Sequence, residues 1–219
     1  MKNCTIKKTC LISSNISTNY IYQMEALRCY VQSYVERSLT PLVRFLSRLG
    51  IGPDPITWAG FVVTLSSSAL LLCGYPLTAG ILFLLGSTLD LLDGALARLQ
   101  KQVTPFGAFL DSTLDRLGEG ALCTAIAYHF AAAGDALAVA GTMLTLLGGM
   151  LTSYTRARGE ALGIPCTAGW ITRPERVILL ALGLILGLLA EVVYLLAVLT
   201  LWTSLQRIYH VYKALHSYS

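Results

Sequence analysis

The chain has 219 residues, of which 55% are hydrophobic and only 13% carry a charge. Since soluble domains carry about 25% charged residues, this composition argues against a soluble protein and indicates one embedded in lipid. The net charge of +4 is too small to indicate a nucleic-acid partner. The six cysteines form no C-x-x-C pair and no zinc-ligand spacing with histidine, which indicates free thiols.

The beginning of the chain precedes every long apolar stretch. Residues 1–23 are polar and lack the apolar run of a signal peptide, so we expect a disordered tail. Residues 24–52 are expected to form a cytoplasmic juxtamembrane segment. Within it, residues 31–49 place apolar side chains at spacings of three and four between arginines, which predicts an amphipathic helix. This helix would lie on the cytoplasmic membrane surface; the alternative is a helix packed on the inner face of the protein.

Residues 53–215 predict an all-α, polytopic membrane domain. A membrane-spanning helix needs about 20 mostly apolar residues, and several stretches approach that length. They are residues 56–73, 77–89, 106–130, 136–155, 177–190 and 192–206, the last two separated by Glu191. We therefore expect six transmembrane helices, preceded by the amphipathic juxtamembrane helix.

The lysines and arginines indicate how these helices are oriented. All 16 of them fall on one side of a six-span arrangement, before the first span, after the sixth, or around the links from the second span to the third and from the fourth to the fifth. Because basic residues accumulate on the cytoplasmic side, that side is predicted to be cytoplasmic. We expect a multi-pass protein of the plasma membrane with both termini and its active site facing the cytoplasm.

Four aspartates stand where two predicted spans meet a short link. Asp90 and Asp93 end the second span, and Asp111 and Asp115 begin the third. Spacings of three and four place each pair on one helix face. The link contains Pro105 and folds the two helices antiparallel, so the four carboxylates can converge. Acidic residues within spans are costly and usually functional.

A bound cation would remove the repulsion between these carboxylates. Ligands that offer only oxygen suit Mg²⁺, Mn²⁺ or Ca²⁺. The alternative is a set of interhelical salt bridges, in which Asp111 or Asp115 pairs with Arg98 or Arg116. Such bridges would occupy one or two of the acids. Small residues on the same elements would let a ligand approach the helix backbones; they are Gly94, Ala97 and Gly107.

The aspartate segment resembles a family signature. It reads D-L-L-D-G-A-L-A-R from Asp90 to Arg98, then eight residues, then G-A-F-L-D-S-T-L-D from Gly107 to Asp115. This is similar to the pattern D-x-x-D-G-x-x-A-R, x8, G-x-x-x-D-x-x-x-D of the CDP-alcohol phosphatidyltransferases, with every fixed position matched. The resemblance extends over about residues 30 to 215.

The resemblance implies transfer of a phosphatidyl group from a CDP-activated lipid to a polar alcohol, with release of CMP. It implies that Asp90, Asp93 and Asp111 are metal ligands for Mg²⁺ or Mn²⁺, and that Asp115 is the general base and a further metal contact. It also implies a set of residues that bind the CDP-lipid, namely Asp54, Thr57, Gly94, Ala97, Arg98 and Gly107. CDP-diacylglycerol and CDP-archaeol are both open as donors, and a homodimer is implied.

A second group of basic residues bears on the acceptor. Arginines around one cytoplasmic cavity would hold an acceptor phosphate; the alternatives are plain positive-inside topology or binding of anionic lipid headgroups. The sequences of residues 111–116, 153–160 and 173–176 resemble those of the phosphatidylinositol phosphate and archaetidylinositol phosphate synthases. This resemblance implies inositol 1-phosphate as acceptor. The candidate residues are Arg156, Arg158, Arg173, Arg176 and Arg207, with Glu160 and Glu175 orienting them. Glu119 is expected to have a structural role, paired with Arg116.

Two other functions stay open at this point. The same transfer to glycerol 3-phosphate or another polar alcohol would use the same aspartates. An ion-coupled transporter would also place carboxylates in the membrane, but transporters often show inverted repeats and a site at mid-membrane. The chain shows no internal repeat, and its aspartates lie near one surface.

Overall fold

A computed structural model describes residues 38–166 and 169–216, and the predicted tail and the start of the juxtamembrane segment lie outside this part of the chain. The described residues form helices and connecting turns, with no strand. The helices are α1 (residues 38–48), α2 (Pro53–Leu72), α3 (Pro76–Gln100), α4 (Pro105–Ala132), α5 (Ala136–Ala161), α6 (Arg173–Leu186) and α7 (Leu189–His216). The all-α prediction is confirmed.

Local sequence sets where these helices begin. Helices α2, α3, α4 and α6 each have proline in the first turn, where its fixed φ and missing N–H cost nothing. Helix α4 is also capped by Thr104, whose hydroxyl accepts from the Gly107 N–H at 3.0 Å, and α5 by Asp135, which accepts from the Ala138 N–H at 2.9 Å. These caps satisfy backbone donors that a helix end leaves unpaired.

The link between α6 and α7 differs from the prediction. The break was expected at Glu191, but α6 ends at Leu186 and Gly187 adopts a left-handed conformation with φ 72°. Glycine tolerates this conformation at a helix C-terminus, so the chain reverses there, and Glu191 lies in the first turn of α7. Helix α7 extends beyond the uncharged stretch that ends at residue 206 and reaches His216.

Four described helices are long and apolar enough to cross a membrane, namely α2, α3, α5 and α7. Helix α6 has 14 residues, which corresponds to about 21 Å at 1.5 Å per residue, less than the roughly 30 Å of a bilayer's hydrocarbon core. Helix α4 is 28 residues long, but its N-terminal part contains Asp111, Asp115, Arg116 and Glu119. The structure thus has the character of a multi-pass membrane protein.

The helices pack with close contacts between small residues. Helix α2 lies against α3 and α4, α3 against α6, α4 against α5, and α5 against α7. On α5, Gly148 faces Thr200 of α7, and the Thr145 hydroxyl donates to the Val193 carbonyl of α7 at 2.8 Å. The main core contains Phe83, Leu122, Ile126, Leu180, Leu184, Val193 and Leu196. This packing brings the ends of α3 and α5 and the starts of α4 and α6 to one end of the bundle.

Helix α1 packs on this end of the bundle. Its residue Val43 is buried in a cluster with Ile56 of α2 and Leu92 and Leu96 of α3. The Gln100 amide of α3 donates to the Ile51 carbonyl at 3.0 Å and ties down the segment that follows α1. The other side of α1 exposes Leu42, Phe45 and Leu49. One face of α1 therefore packs on the protein and the other carries an apolar stripe. The helix can thus lie on the membrane surface and pack on the inner face of the protein at the same time.

Candidate active site

Three of the four predicted aspartates converge in the structure. Asp90 and Asp93 lie in the C-terminal part of α3 and Asp111 in the first turns of α4. One carboxylate oxygen from each lies within 4.8 Å of the others. Lys101, in a left-handed conformation with φ 57°, follows the end of α3 and begins the four-residue link that returns the chain antiparallel. This reversal places the acidic faces of α3 and α4 together.

The carboxylates of this cluster have unused hydrogen-bonding capacity. Asp93 is 4% exposed, and its Oδ2 has no hydrogen-bond partner among the described residues; the same is true of Asp111 Oδ1. A buried carboxylate oxygen without a partner is costly. Three converging carboxylates with two such oxygens match the all-oxygen coordination that Mg²⁺ and Mn²⁺ take. The residues present therefore fit a divalent metal.

Asp115 lies one turn beyond Asp111 on α4 and contacts an arginine. Arg173, at the start of α6, forms ion pairs with both Asp115 and Asp90, the latter at 2.5 Å. Arg116 approaches Asp115 more loosely, at 3.6 Å, and donates to the Ser112 carbonyl at 2.6 Å. Interhelical ion pairing was considered from the sequence, but with Arg98 or Arg116 as partners. The structure assigns the interhelical role to Arg173.

A second ion pair lies one turn deeper. Arg176 is 2% exposed, and its guanidinium makes two 2.8 Å contacts to the two carboxylate oxygens of Glu119. It also donates to the Thr152 hydroxyl at 3.1 Å. The expected pairing of Glu119 with Arg116 is wrong, because Glu119 faces α6 across the bundle. This pair joins α4, α5 and α6 behind the aspartate cluster.

Arg207 extends the same buried network to α7. It is 3% exposed and donates to the Thr152 carbonyl. Thr152 therefore receives Arg176 on its hydroxyl and Arg207 on its carbonyl. Nearby, the Ile171 N–H donates to the Thr203 hydroxyl at 3.2 Å, which holds the segment before α6 against α7. Of the predicted acceptor arginines, these two are enclosed by protein.

Two further acceptor candidates, besides Arg173, lie on the surface. Arg156 and Arg158 are exposed near the C-terminus of α5. Arg156 pairs with Glu160 at 2.8 Å, as expected for a glutamate that orients an arginine. Glu175 has another contact, because its carboxylate accepts from the Thr172 N–H at 2.8 Å and caps α6. Glu175 thus fixes the helix turn from which Arg173 projects.

The predicted donor-binding residues lie around the aspartates on α2, α3 and α4. Asp54 is exposed in the first turn of α2, and Thr57 is half-buried on the next. Gly94 and Ala97 are half-buried. The Arg98 side chain lies over Gly94, and its Nη1 would be 3.5 Å from a Cβ added at Gly94. Gly107 packs against its own cap, Thr104. The small residues thus keep the α3 backbone open next to the acidic cluster.

A small cavity of about 30 Å³ adjoins the aspartates and extends into the bundle. It lies between α2, α3, α4 and α6. Its polar lining consists of Thr57, Thr64, Ser87, Asp90, Asp115, Glu119 and Arg173. Charged groups inside a largely apolar membrane bundle usually mark a functional site.

The fold and the site together define a helical membrane protein with a carboxylate cluster that fits a divalent metal. The sequence pattern of the CDP-alcohol phosphatidyltransferase family matches residues 51–206, and the chain belongs to this family. It is therefore a membrane-embedded transferase of phospholipid biosynthesis, from a family that depends on divalent metal.

Relatives and solved structures agree with this assignment. The archaetidylinositol phosphate synthase of Pyrococcus horikoshii is 37% identical over 186 residues, which cover 84% of this chain and 96% of that protein. Phosphatidylinositol phosphate synthase of Mycobacterium tuberculosis with CDP-DAG bound superimposes with a TM-score of 0.74 at 32% identity, covering 80% of this chain and 94% of that one. A structure of the same enzyme with manganese and citrate gives 0.72 at 32% identity, covering 79% and 88%.

Thr152 and the true partner of Glu119 were missed by the sequence reasoning. Thr152 stands in an apolar stretch without a motif, and nothing in its spacing marks it. Glu119 did carry a signal, because it continues the four-residue spacing of Asp111 and Asp115 along one face of α4. A charged side chain in a membrane span needs a partner, and Arg176 on the facing helix α6 is the partner of Glu119.

Proposed function

We propose that this enzyme transfers a phosphatidyl or archaetidyl group from a CDP-activated lipid to inositol 1-phosphate and releases CMP. The observation that carries the proposal is the arrangement of three metal-compatible carboxylates beside Asp115 and Arg173. The relatives that are named for inositol phosphate synthesis support the choice of acceptor.

The donor half of the site would be built on α2, α3 and the start of α4. Asp90, Asp93 and Asp111 would hold Mg²⁺ or Mn²⁺, which neutralises charge on a pyrophosphate and on its leaving group. The open backbone at Gly94, with Ala97 and Gly107, would admit the donor, and Arg98, Asp54 and Thr57 would contact its nucleotide. The bound CDP-DAG of the solved relative supports a CDP-lipid donor.

Asp115 would act as general base. It lies one turn beyond Asp111 and so borders the space where donor and acceptor meet. A carboxylate in hydrogen-bonding reach of the acceptor hydroxyl can take its proton, typically worth about 10² to 10⁴ in rate. Oxygen of that hydroxyl then bonds to the lipid phosphorus, the bond to the bridging oxygen breaks, and CMP leaves.

The acceptor phosphate would be held by arginines at the ends of α5 and α6. Arg173 stands beside Asp115, and Arg156 and Arg158 are exposed at the same end of the bundle. Arg176 and Arg207 would complete the set from the buried wall, where Glu119 and Thr152 fix them. Charged hydrogen bonds from planar guanidinium groups suit a phosphate.

In the membrane, we propose that α2 to α7 all span, in a domain of residues 53–215, with the site on the cytoplasmic side. Helix α6 is shorter than the hydrocarbon core, and local thinning of the bilayer would accommodate it. The described basic residues support this sidedness, because they lie at the end of the bundle that holds the aspartates, whereas the opposite turns around Gly74, Gly134 and Gly187 contain none. A homodimer completes the proposal.

The proposal is tested by an acceptor panel. Purified protein receives CDP-diacylglycerol or CDP-archaeol, Mg²⁺ or Mn²⁺, and one of inositol 1-phosphate, inositol, glycerol 3-phosphate or serine, and CMP release is measured. We expect release with inositol 1-phosphate and no more than background with the others. Equal release with glycerol 3-phosphate would overturn the acceptor assignment.

A further inference from the structure

The side chain of Arg173 occupies the acidic site from α6. Its Nη1 lies 2.5 Å from Asp90 Oδ2, and its Nη2 contacts Asp115 Oδ1. One guanidinium therefore joins α3 to α4 from a third helix. The contact with Asp90 is the important one, because Asp90 also belongs to the three carboxylates that converge within 4.8 Å.

Charge explains why an arginine sits there. Asp90, Asp93, Asp111 and Asp115 crowd four acidic groups into one end of the bundle, and like charges at such distances repel strongly in a partly dry site. Arg173 compensates Asp90 and Asp115 directly. It leaves Asp93 Oδ2 and Asp111 Oδ1 without partners, so the compensation by protein groups is incomplete.

The two arginines of α6 differ in how firmly they are held. Arg176 is buried, with a side chain 3% exposed, and is fixed in a two-point pair to Glu119. The Arg173 side chain is 30% exposed and lies at the helix start. Its long, flexible stem therefore has solvent-accessible space into which it can move, and Arg176 does not.

We propose that Arg173 is a displaceable counter-ion of the metal site. It holds Asp90 and Asp115 together in the metal-free enzyme and leaves Asp90 when a divalent cation binds. The cation and the guanidinium would share the Asp90 carboxylate, which Arg173 Nη1 already contacts, and two positive groups on one carboxylate repel each other at close range. Metal binding would thus both complete the carboxylate site and release a guanidinium beside Asp115.

This inference concerns the substrate-free protein and does not depend on which acceptor is used. Mn²⁺ binding to the purified full chain is measured by electron paramagnetic resonance, with no substrate present. Losing a competing charged contact should tighten binding, so Arg173→Gln is expected to lower the Kd for Mn²⁺ by about tenfold to a hundredfold. Arg173→Lys, which keeps the charge but not the two-point contact, should lower it by less.

Arg44→Gln provides the matched control, because Arg44 is an exposed arginine of α1 outside the site; its Kd should equal that of the parent. An unchanged or raised Kd in Arg173→Gln would overturn the proposal, because it would show that Arg173 organises the aspartates for the metal or is indifferent to it. If Arg173→Gln cannot be purified in a folded form, the same comparison is made with Arg173→Lys. A Kd for Mn²⁺ below that of the parent would support the proposal, and a Kd that is not lower would overturn it.

Thermal unfolding gives a second readout. Without Arg173 the metal-free site keeps four poorly compensated acids, so Arg173→Gln should unfold at a lower temperature than the parent in EDTA. A ligand that binds only the folded state stabilises it by an amount that grows with the logarithm of its concentration divided by Kd. The same excess of Mn²⁺ should therefore raise the unfolding temperature more in the variant, whose Kd is lower. An equal rise in both proteins would contradict displacement.

Discussion

Arg176 on α6 and Glu119 on α4 form a two-point ion pair inside the bundle, with both contacts at 2.8 Å. Breaking a buried pair by removing one partner costs about 3–5 kcal/mol, because a charge is left uncompensated. We therefore predict that Glu119→Gln strongly lowers the stability of the protein, measured by thermal unfolding in detergent.

The exposed pair Arg156–Glu160 serves as the control for this prediction. Exposed pairs contribute about 0–1 kcal/mol, so Glu160→Gln should unfold close to the parent temperature. A Glu119→Gln protein as stable as the Glu160→Gln protein would show that the buried pair is not a structural tie between α4 and α6.

The sequence predicted the acidic cluster because its geometry is local. Spacings of three and four, together with a short link containing a proline, are enough to bring Asp90, Asp93 and Asp111 together. The partners of the arginines could not be predicted in this way. Arg176 and Glu119 are 57 residues apart, and their pairing depends on which helices become neighbours in the bundle.

The break between α6 and α7 was misplaced for a related reason. A hydropathy pattern marks Glu191 as the interruption, because it is the charged residue in an apolar run. A helix can extend through a charge at the membrane surface, whereas Gly187 in a left-handed conformation ends it. Gly187 was the residue in this apolar stretch that could have indicated the end of the helix. Its left-handed backbone, and not the charge of Glu191, determines where the chain reverses.

The contact between α5 and α7 depends on Gly148. A Cβ placed there would lie 2.7 Å from Thr200 Cβ, so Gly148→Ala must push the two helices apart. Overpacking of this kind costs about 1–3 kcal/mol, and we expect a clear fall in the unfolding temperature. Gly120→Ala is the matched control, because its added methyl would meet nothing within 4 Å; a similar fall in both would indicate that helix packing is not the cause.

The proposed metal ligation predicts the effect of neutralising single aspartates. Asp93→Asn and Asp111→Asn each remove one negative charge and one strong ligand from the cluster, so each is expected to abolish CMP release while the protein stays folded. Glu191→Gln, an equal charge change in the first turn of α7, should keep parental activity. Substantial CMP release by either aspartate variant would remove that residue from the metal site.

The proposed orientation predicts which positions an impermeant thiol reagent can reach in intact cells. Cys73 is exposed at the end of the bundle away from the aspartates, so it should be labelled. A cysteine introduced by Lys101→Cys in a Cys73→Ser background should be labelled only after the membrane is permeabilised. Labelling at position 101 in intact cells would reverse the topology.

The central claim is the chemical identity of the transfer, and one competition experiment tests it most directly. Purified enzyme with CDP-diacylglycerol and Mg²⁺ receives inositol 1-phosphate and glycerol 3-phosphate in equal amounts, and the lipid products are identified by mass spectrometry. We predict phosphatidylinositol phosphate as the main product, formed together with CMP and lost when EDTA is added. Phosphatidylglycerophosphate as the main product, or formation of phosphatidylinositol phosphate undiminished by EDTA, would contradict the claim.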